Sequence, residues 1–141
     1  MSHPAADLLA AAQTAAQRAY APYSNFQVGA AVLDAAGNIH LGCNVENASY
    51  GLTVCAERNA IFAAIASGAP RPFVALALVC HSAPPDAPIE ASTPCGACRQ
   101  VIAEHFAPTA IVHIGQTAAF AVADLLPSAF ALNPKPESGN S

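Results

Sequence analysis

The chain has 141 residues, a formal net charge of −4, and unusually few charged residues, 10% against 54% hydrophobic. Five lysines and arginines in all are too few for a basic face that neutralises phosphates, which argues against a nucleic-acid partner. So little charge also leaves a monomer short of polar surface, and this predicts a homo-oligomer.

The first predicted element is a helix over residues 5–20, a stretch rich in Ala, Leu and Gln that ends before Pro22. Two strands follow, at 26–34 and 38–46. The connecting residues, DAAGN, are of types that favour turns, and they predict an antiparallel hairpin.

A second helix is predicted from Cys55 to Ser67, because Gly68 supplies a helix stop. Residues 72–80 are continuously apolar and of strand length, which is typical of a strand covered on both faces. The segment 81–94 contains four prolines and is predicted to be a loop.

A third helix is predicted over 95–106, followed by strands at 110–115 and 118–122. The short connection between these strands requires an antiparallel pair. The order predicts an α/β fold, a mixed five-stranded sheet with helices on both faces, over one domain at 1–132. Residues 133–141 are expected to form a flexible tail.

Two negative observations bear on location. Residues 1–20 lack a basic region ahead of an apolar stretch, and no apolar run reaches the ~18 residues of a membrane span. We therefore expect a cytoplasmic protein with no membrane partner. The odd count of five cysteines favours metal binding or catalysis in a reducing compartment over disulfides.

Three of those cysteines fall at predicted helix starts: Cys55 at one, Cys95 and Cys98 at another. The N–H groups and dipole of a helix start favour thiolates, the form that binds zinc. Three protein ligands leave one tetrahedral position open, which is typical of a catalytic zinc site. A structural four-cysteine site would need Cys43 or Cys80, and neither has a neighbour at C-x-x-C spacing.

Two charged residues accompany the first of these cysteines. Glu57, two residues after Cys55, does not share its helix face, so it suits a general base better than a ligand. Arg58 lies three residues after Cys55, where it could donate to thiolate sulfur and offset the negative charge of a three-thiolate site.

The combination of C-A-E, a proline-rich loop and P-C-G-A-C matches the zinc-deaminase signature. The chain resembles the short, homotetrameric cytidine deaminases. The matching blocks are AYAPYSNFQVGAAV at 19–32, GCNVENASYGLTVCAERNAI at 42–61, PCGACRQVI at 94–102 and LLPSAF at 125–130.

The resemblance implies hydrolytic deamination of cytidine and 2′-deoxycytidine, with one Zn²⁺ per subunit held by Cys55, Cys95 and Cys98. Glu57 matches the residue that moves protons. It implies a three-layer α/β/α fold and a nucleoside as the small-molecule partner.

Substrate contacts are also implied by the resemblance. Asn44 and Glu46 match residues that bind the ribose, notably its 3′-hydroxyl, and Phe26 matches an aromatic near the base. The backbone at Ala56 matches a contact to the pyrimidine carbonyl. Phe130 matches an aromatic that reaches a neighbouring subunit's site.

Simpler interpretations remain open for several of these residues. Phe26 and Phe130 could be core aromatics, Asn44 and Glu46 could be turn residues, and Cys43 and Cys80 are expected to be small buried hydrophobes. Three alternative functions also remain: an aminoglycosyl-cytosine nucleoside deaminase of the blasticidin type, a structural zinc module, and a thiol oxidoreductase that uses the C-x-x-C.

Overall fold

The structure, a computed structural model, describes residues 4–132 and contains four α-helices and five strands. The helices are α1 Pro4–Ala16, α2 Ala56–Ala66, α3 Gly96–His105 and α4 Val122–Leu125. The strands are β1 Val28–Leu33, β2 Ile39–Cys43, β3 Phe73–Cys80, β4 Phe106–Ile114 and β5 Ala118–Ala121. Single 3₁₀ turns occur at Tyr50–Leu52 and Ile89–Ala91.

The five strands form one mixed sheet in the order β2-β1-β3-β4-β5. β1 pairs antiparallel with both β2 and β3, whereas β3 and β4 are parallel and are connected through α3. β5 returns antiparallel to β4. The predicted mixed sheet, its first hairpin and its antiparallel last strand are therefore confirmed.

Helices cover both faces of the sheet, as predicted. On one face, Leu8 and Ala12 of α1 pack against Ala31 and Ala77. On the other face, the larger core joins α2, α3 and α4 to the alternate positions of β1, β3 and β4. The members of that core are Ala30, Val32, Ala56, Ala60, Ile61, Ala64, Phe73, Leu76, Leu78, Ile102, Phe106, Ala110, Val112, Ile114, Val122 and Leu125. The alternation follows from the two-residue period of a strand.

Two strand glycines let helix backbones press directly onto the sheet. A Cβ at Gly29 would lie 2.0 Å from the Ala12 carbonyl oxygen of α1. A Cβ at Gly42 would lie 2.2 Å from Ala60 N and 2.6 Å from Ala56 O. Ala56 is the first residue of α2, so the contact at Gly42 determines where the start of α2 sits above the sheet.

The first helix is shorter than predicted. It ends at Ala16 instead of continuing to Tyr20. Tyr20 N donates to Asn44 O at 3.0 Å, and Glu46 N donates to Tyr20 O at 2.8 Å, so the chain there pairs with residues 44–46. Tertiary hydrogen bonds have overridden a helical propensity that continues past Ala16.

The fourth strand begins earlier than the predicted residue 110. Phe106 follows α3 directly and pairs with Phe73, with their ring centroids 5.4 Å apart. The register then shifts before Ala75 pairs with Ile111, and Pro108 lies in this irregular stretch. Proline is tolerated in a strand at such a bulge.

The other predicted helices and strands agree with the structure to within two residues, except that β2 ends at Cys43 instead of residue 46. The expected tail at 133–141 lies outside the described residues. Among residues 4–132, none of the helices has the length and apolar character that crossing a bilayer requires.

Candidate metal centre and active site

The three motif cysteines lie at two helix N-termini, as predicted. Cys55 is the N-cap of α2 and Cys95 is the N-cap of α3, with Cys98 in the first turn of α3. Arg99 secures the start of α3, because its Nε donates to Pro94 O and its Nη1 to Leu125 O, both at 2.8 Å. The positive ends of both helix dipoles therefore point at the sulfurs.

The sulfur geometry fits a zinc ion. The Sγ atoms of Cys55, Cys95 and Cys98 all lie within 4.8 Å of one another, and those of Cys55 and Cys95 are 3.9 Å apart. Zn–S bonds of about 2.3 Å in a tetrahedron place sulfurs about 3.8 Å apart, whereas a disulfide needs about 2.05 Å. Within residues 4–132, this is the one group of three potential ligands of this kind.

The thiol of Cys55 is poised to lose its proton. A hydrogen bond from Cys98 is the main cause that lowers the pKa of Cys55 to about 5, and Arg58 and Cys95 add to it. The pKa of Cys98 is raised, because it is the donor in that bond and is buried near Glu57. A metal cation bound between the sulfurs would displace the remaining proton.

Glu57 is buried beside this cluster, with 4% of its surface exposed. Burial is the largest cause that raises the pKa of Glu57 to about 7, and the negative charge of Cys55 adds to it. A carboxyl with a pKa near neutrality can both accept and donate a proton at working pH, which is what general acid–base catalysis requires.

Arg58 contacts the sulfur cluster from its own helix turn. Its Nη2 donates to Cys55 Sγ at 3.6 Å. The pKa of Arg58 is raised, mainly by this bond to Cys55. Its Nε is buried and, within the described residues, has no hydrogen-bond partner. The side chain therefore supplies a positive charge to the sulfurs, at the position where the sequence places a charge balance.

A cavity of about 210 Å³, here called the inner cavity, opens over Cys55, Cys95 and Glu57. Its lining residues are Phe26, Val28, Asn44, Thr53, Cys55, Ala56, Glu57, Leu78, Cys80, Ala91, Ser92, Thr93 and Cys95. Four residues singled out from the sequence as substrate or proton-transfer groups, Phe26, Asn44, Ala56 and Glu57, thus line the same cavity as Cys55 and Cys95.

A second cavity of about 320 Å³, the outer cavity, shares Thr53 with the first and contains Glu46. Its other lining residues are Tyr23, Ser24 and Tyr50. Ligand pockets commonly measure about 300–1,000 Å³. The outer cavity is at the lower end of that range and the inner cavity is below it. Two adjoining cavities of this size suit a small ligand made of two parts.

The structure does not bring Phe130 to either cavity of its own chain. Its side chain is 67% exposed, and Gln100 Nε2 donates to its carbonyl oxygen at 3.0 Å. The interpretation of Phe130 as a core aromatic is therefore wrong, whereas Phe26 lines the inner cavity.

Two further site residues were missed in the sequence. Cys80, expected to be a small core residue, is half-buried in the inner cavity at the end of β3. Ser24 lines the outer cavity and contacts Glu46. Position on the chain could have suggested Cys80, since β3 ends where the proline-rich loop returns to Cys95. No spacing pattern marks Ser24.

Comparison with known proteins bears directly on this centre. Residues 3–114 match the family model described as "Cytidine and deoxycytidylate deaminase zinc-binding region". A cytidine deaminase of Sporosarcina psychrophila is 46% identical over 127 residues, which are 87% of this chain and 88% of the relative.

Solved structures agree. The crystal structure of cytidine deaminase from Burkholderia pseudomallei is 47% identical, with a TM-score of 0.78, over 92% of this chain and all of that one. The structure of the Mycobacterium tuberculosis cytidine deaminase gives 42% identity and a TM-score of 0.77, over 90% and 97% of the two chains.

Three cysteine sulfurs at two helix starts, with a buried carboxyl beside them, define a zinc-binding hydrolytic centre. The chain belongs to the cytidine and deoxycytidylate deaminase family, whose zinc-binding region covers most of its length.

Proposed function

We propose that this chain catalyses the zinc-dependent hydrolysis of cytidine and 2′-deoxycytidine to uridine and 2′-deoxyuridine, with release of ammonia, as in pyrimidine salvage. One observation carries the proposal: three sulfurs lie within 4.8 Å of one another, and two of the cysteines, Cys55 and Cys95, line a cavity together with a buried glutamate. A structural zinc module has no use for such a carboxyl, and a redox C-x-x-C would not recruit Cys55.

Cys55, Cys95 and Cys98 would hold the zinc, and Arg58 would offset part of the charge of the three thiolates through its bond to Cys55. Zinc supplies Lewis acidity that lets water act as a nucleophile near neutral pH. With three protein sulfurs as ligands, a tetrahedral zinc would keep one position for a group taking part in the reaction.

Glu57 is the proton carrier in this proposal. Its carboxylate takes a proton from the attacking water and delivers it to N3 of the cytosine ring as C4 is attacked. Glu57 then transfers the second proton of that water, from the hydroxyl now on C4, to the departing amine. One water is consumed and one ammonia is released. Its burial in the inner cavity keeps bulk water from competing for these protons.

Each of the two cavities would hold one part of the substrate. The inner cavity, with Phe26 and the backbone of Ala56, would hold the pyrimidine, and the outer cavity would hold the sugar near Glu46. Asn44 donates one N–H to Phe26 O and accepts from Val28 N, both at 2.8 Å. An amide nitrogen has two N–H groups, which leaves a second donor for a sugar hydroxyl.

The active form is proposed to be a cytoplasmic homotetramer whose sites are completed by Phe130 of a neighbouring subunit. Phe130 and Leu132 are 67% and 76% exposed at the end of the described chain. Large exposed apolar side chains at one end of a segment favour burial against another subunit. Five free cysteines favour a reducing compartment.

The direct test is the loss of cytidine absorbance with purified, zinc-loaded protein near neutral pH, with and without a chelator. We expect turnover that the chelator abolishes and added zinc restores. Turnover of aminoglycosyl-cytosine nucleosides but not of cytidine would replace the proposed substrate. No turnover of either would overturn the proposal.

A further inference from the structure

Ser24 has a position that the deamination chemistry does not explain. Its hydroxyl donates to Glu46 Oε2 and accepts from Phe26 N at 3.0 Å. One small side chain therefore joins a carboxylate of the outer cavity to the backbone of a residue that lines the inner cavity.

The backbone around Ser24 is held in one conformation from both sides. Asn25 N donates to Ala21 O at 2.9 Å, and Asn25 itself adopts φ +58°, a left-handed conformation that asparagine tolerates better than most residues. Two residues after Ser24, the carbonyl oxygen of Phe26 accepts a hydrogen bond from the Asn44 side chain, which itself accepts one from Val28 N. The bonds of Ser24 therefore act within a fixed loop.

The same loop occupies most of the hydrogen-bond acceptor positions of the Glu46 carboxylate. Tyr23 N and Ser24 N donate to Oε1 at 3.0 and 3.2 Å, and the Ser24 hydroxyl takes a position on Oε2. The bond from Ser24 is the largest cause that lowers the pKa of Glu46. A carboxylate offers about four acceptor positions, so these three bonds leave one, in a direction that the loop determines.

We propose that Ser24 is a positioning residue that aims the remaining acceptor of Glu46 at a sugar hydroxyl. This proposal rests on the proposed nucleoside deamination. It assigns Ser24 to substrate affinity and to discrimination at the sugar, because its bonds reach the sugar-side carboxylate and not the sulfur cluster.

The test compares Ser24→Ala and Ser24→Thr in the zinc-loaded full-length protein, with cytidine and 3′-deoxycytidine as substrates. Ser24→Ala should raise KM for cytidine about tenfold while kcat changes less than about twofold, since one charge-assisted hydrogen bond is lost. KM for 3′-deoxycytidine should change less than about twofold, because that substrate lacks the hydroxyl. Ser24→Thr keeps the hydroxyl at an exposed position and should restore the wild-type KM.

Thr14→Ala is the matched control, since it removes an exposed hydroxyl that bonds only within α1, to Ala10 O at 3.2 Å. It should leave both constants unchanged. Absence of cytidine turnover in the wild-type protein would overturn the proposed function. Normal wild-type turnover together with an unchanged KM in Ser24→Ala, an equal effect on both substrates, or no rescue by Ser24→Thr would overturn the role of Ser24 alone.

Discussion

Glu57 combines burial with direct access to the inner cavity, and this makes its substitution diagnostic. Glu57→Gln keeps the shape of the side chain but removes its ability to take a proton. We expect kcat to fall by about 10²–10⁴-fold while one zinc per chain is retained, because the three sulfurs are untouched. Turnover and metal content measured on the same sample check this.

Glu104→Gln is the matched control, an exposed carboxylate on α3 that lines neither cavity. It should leave kcat unchanged. If Glu57→Gln lost zinc together with activity, Glu57 would be supporting the metal site and not carrying protons.

Arg58 is the other charged residue whose effect can be isolated. Arg58→Gln removes the positive charge that contacts Cys55 Sγ at 3.6 Å. We expect the affinity for zinc to fall about 10- to 100-fold, the usual effect of losing a group that supports a metal ligand. Competition with a chromophoric chelator measures this, with exposed Arg18→Gln as the control. Equal zinc affinity in Arg58→Gln and wild type would remove the charge-balance role.

Individual residues were predictable from the sequence where spacing carries chemistry. The structure places Cys55, Cys95 and Cys98 together at two helix starts with Glu57 beside them, and helix starts and C-x-x-C spacing are features that the sequence itself displays. Ser24 was not found, because its contacts depend on a left-handed turn at Asn25 and on a carboxylate twenty-two residues away. Neither feature leaves a pattern in the sequence.

At the scale of elements, the site depends on how closely α2 lies on the sheet. Gly42→Ala would place a Cβ 2.2 Å from Ala60 N, a contact that only a shift of the helix backbone can relieve. We expect a loss of about 3 kcal/mol in the free energy of unfolding, a fall in Tm of about 10 °C, and weaker zinc retention, because α2 carries Cys55 at its start.

Gly51→Ala controls for the loss of a glycine. A Cβ there meets nothing within 4 Å, and Gly51 is not among the glycines with a positive φ. Thermal unfolding and zinc content should match those of the wild type in this variant. A Gly42→Ala protein with unchanged Tm and zinc content would show that the start of α2 is not held by this contact.

The β1–β2 hairpin carries a pH-dependent contribution to stability. Asp34 is buried at its turn, accepts from Ala36 N and Asn38 N, and lies 2.9 Å from His40 Nε2. The bond to His40 is the largest cause that lowers the pKa of Asp34. Because the folded-state pKa is below the unfolded value, this stabilisation is present above about pH 4 and is lost as pH falls through the folded-state pKa.

Asp34→Asn should therefore lower the urea midpoint at about pH 7, and its deficit relative to wild type should shrink at about pH 3, where Asp34 is increasingly protonated. Asp86→Asn, in the exposed proline-rich loop, should show no such pH-dependent difference. A deficit that stays constant with pH would mean that the turn hydrogen bonds matter and the charge does not.

Element identity was predictable, but several element ends were not. Helix-forming residues, helix stops, apolar runs and turn residues located the five strands and the three longer helices of the described chain. The end of α1 and the start of β4 were wrong because they are decided by long-range partners, the backbone of residues 44–46 for Tyr20 and the ring of Phe73 for Phe106. Local propensity contains no information about such partners.

At the scale of the whole molecule, the small number of charged residues and the exposed apolar side chains both favour association between subunits. Large hydrophobic residues remain exposed in the described chain around the outer cavity, on α2 and at the C-terminal end. They include Tyr20, Tyr23, Val45, Tyr50, Leu52, Phe62, Ile65, Phe130 and Leu132. So much exposed apolar surface favours burial between subunits. The composition of the sequence predicts an oligomer, but it does not indicate which surfaces would meet.

Sharing of sites between subunits can be tested by complementation of two defective chains. Phe130→Ala should lower activity if each site needs Phe130 from a neighbour, and Glu57→Gln should abolish it. In a co-expressed mixture, a site with an intact Glu57 on a Phe130→Ala chain can receive Phe130 from a Glu57→Gln neighbour. We therefore expect the mixed oligomer to exceed the activity of either parent, measured as cytidine turnover per chain after tandem-tag purification.

The control is Phe62→Ala in place of Phe130→Ala, since Phe62 is also exposed but lies on the outer side of α2, away from both cavities. Mixtures with Glu57→Gln should then show only the activity expected from dilution of the Phe62→Ala chain. Complementation requires that Phe130 and Glu57 act in one site from different chains, because a residue that completed its own chain's site would stay defective in every mixture. Activity in the Phe130→Ala mixture no greater than simple dilution predicts would therefore exclude a shared site, whatever the measured mass of the oligomer.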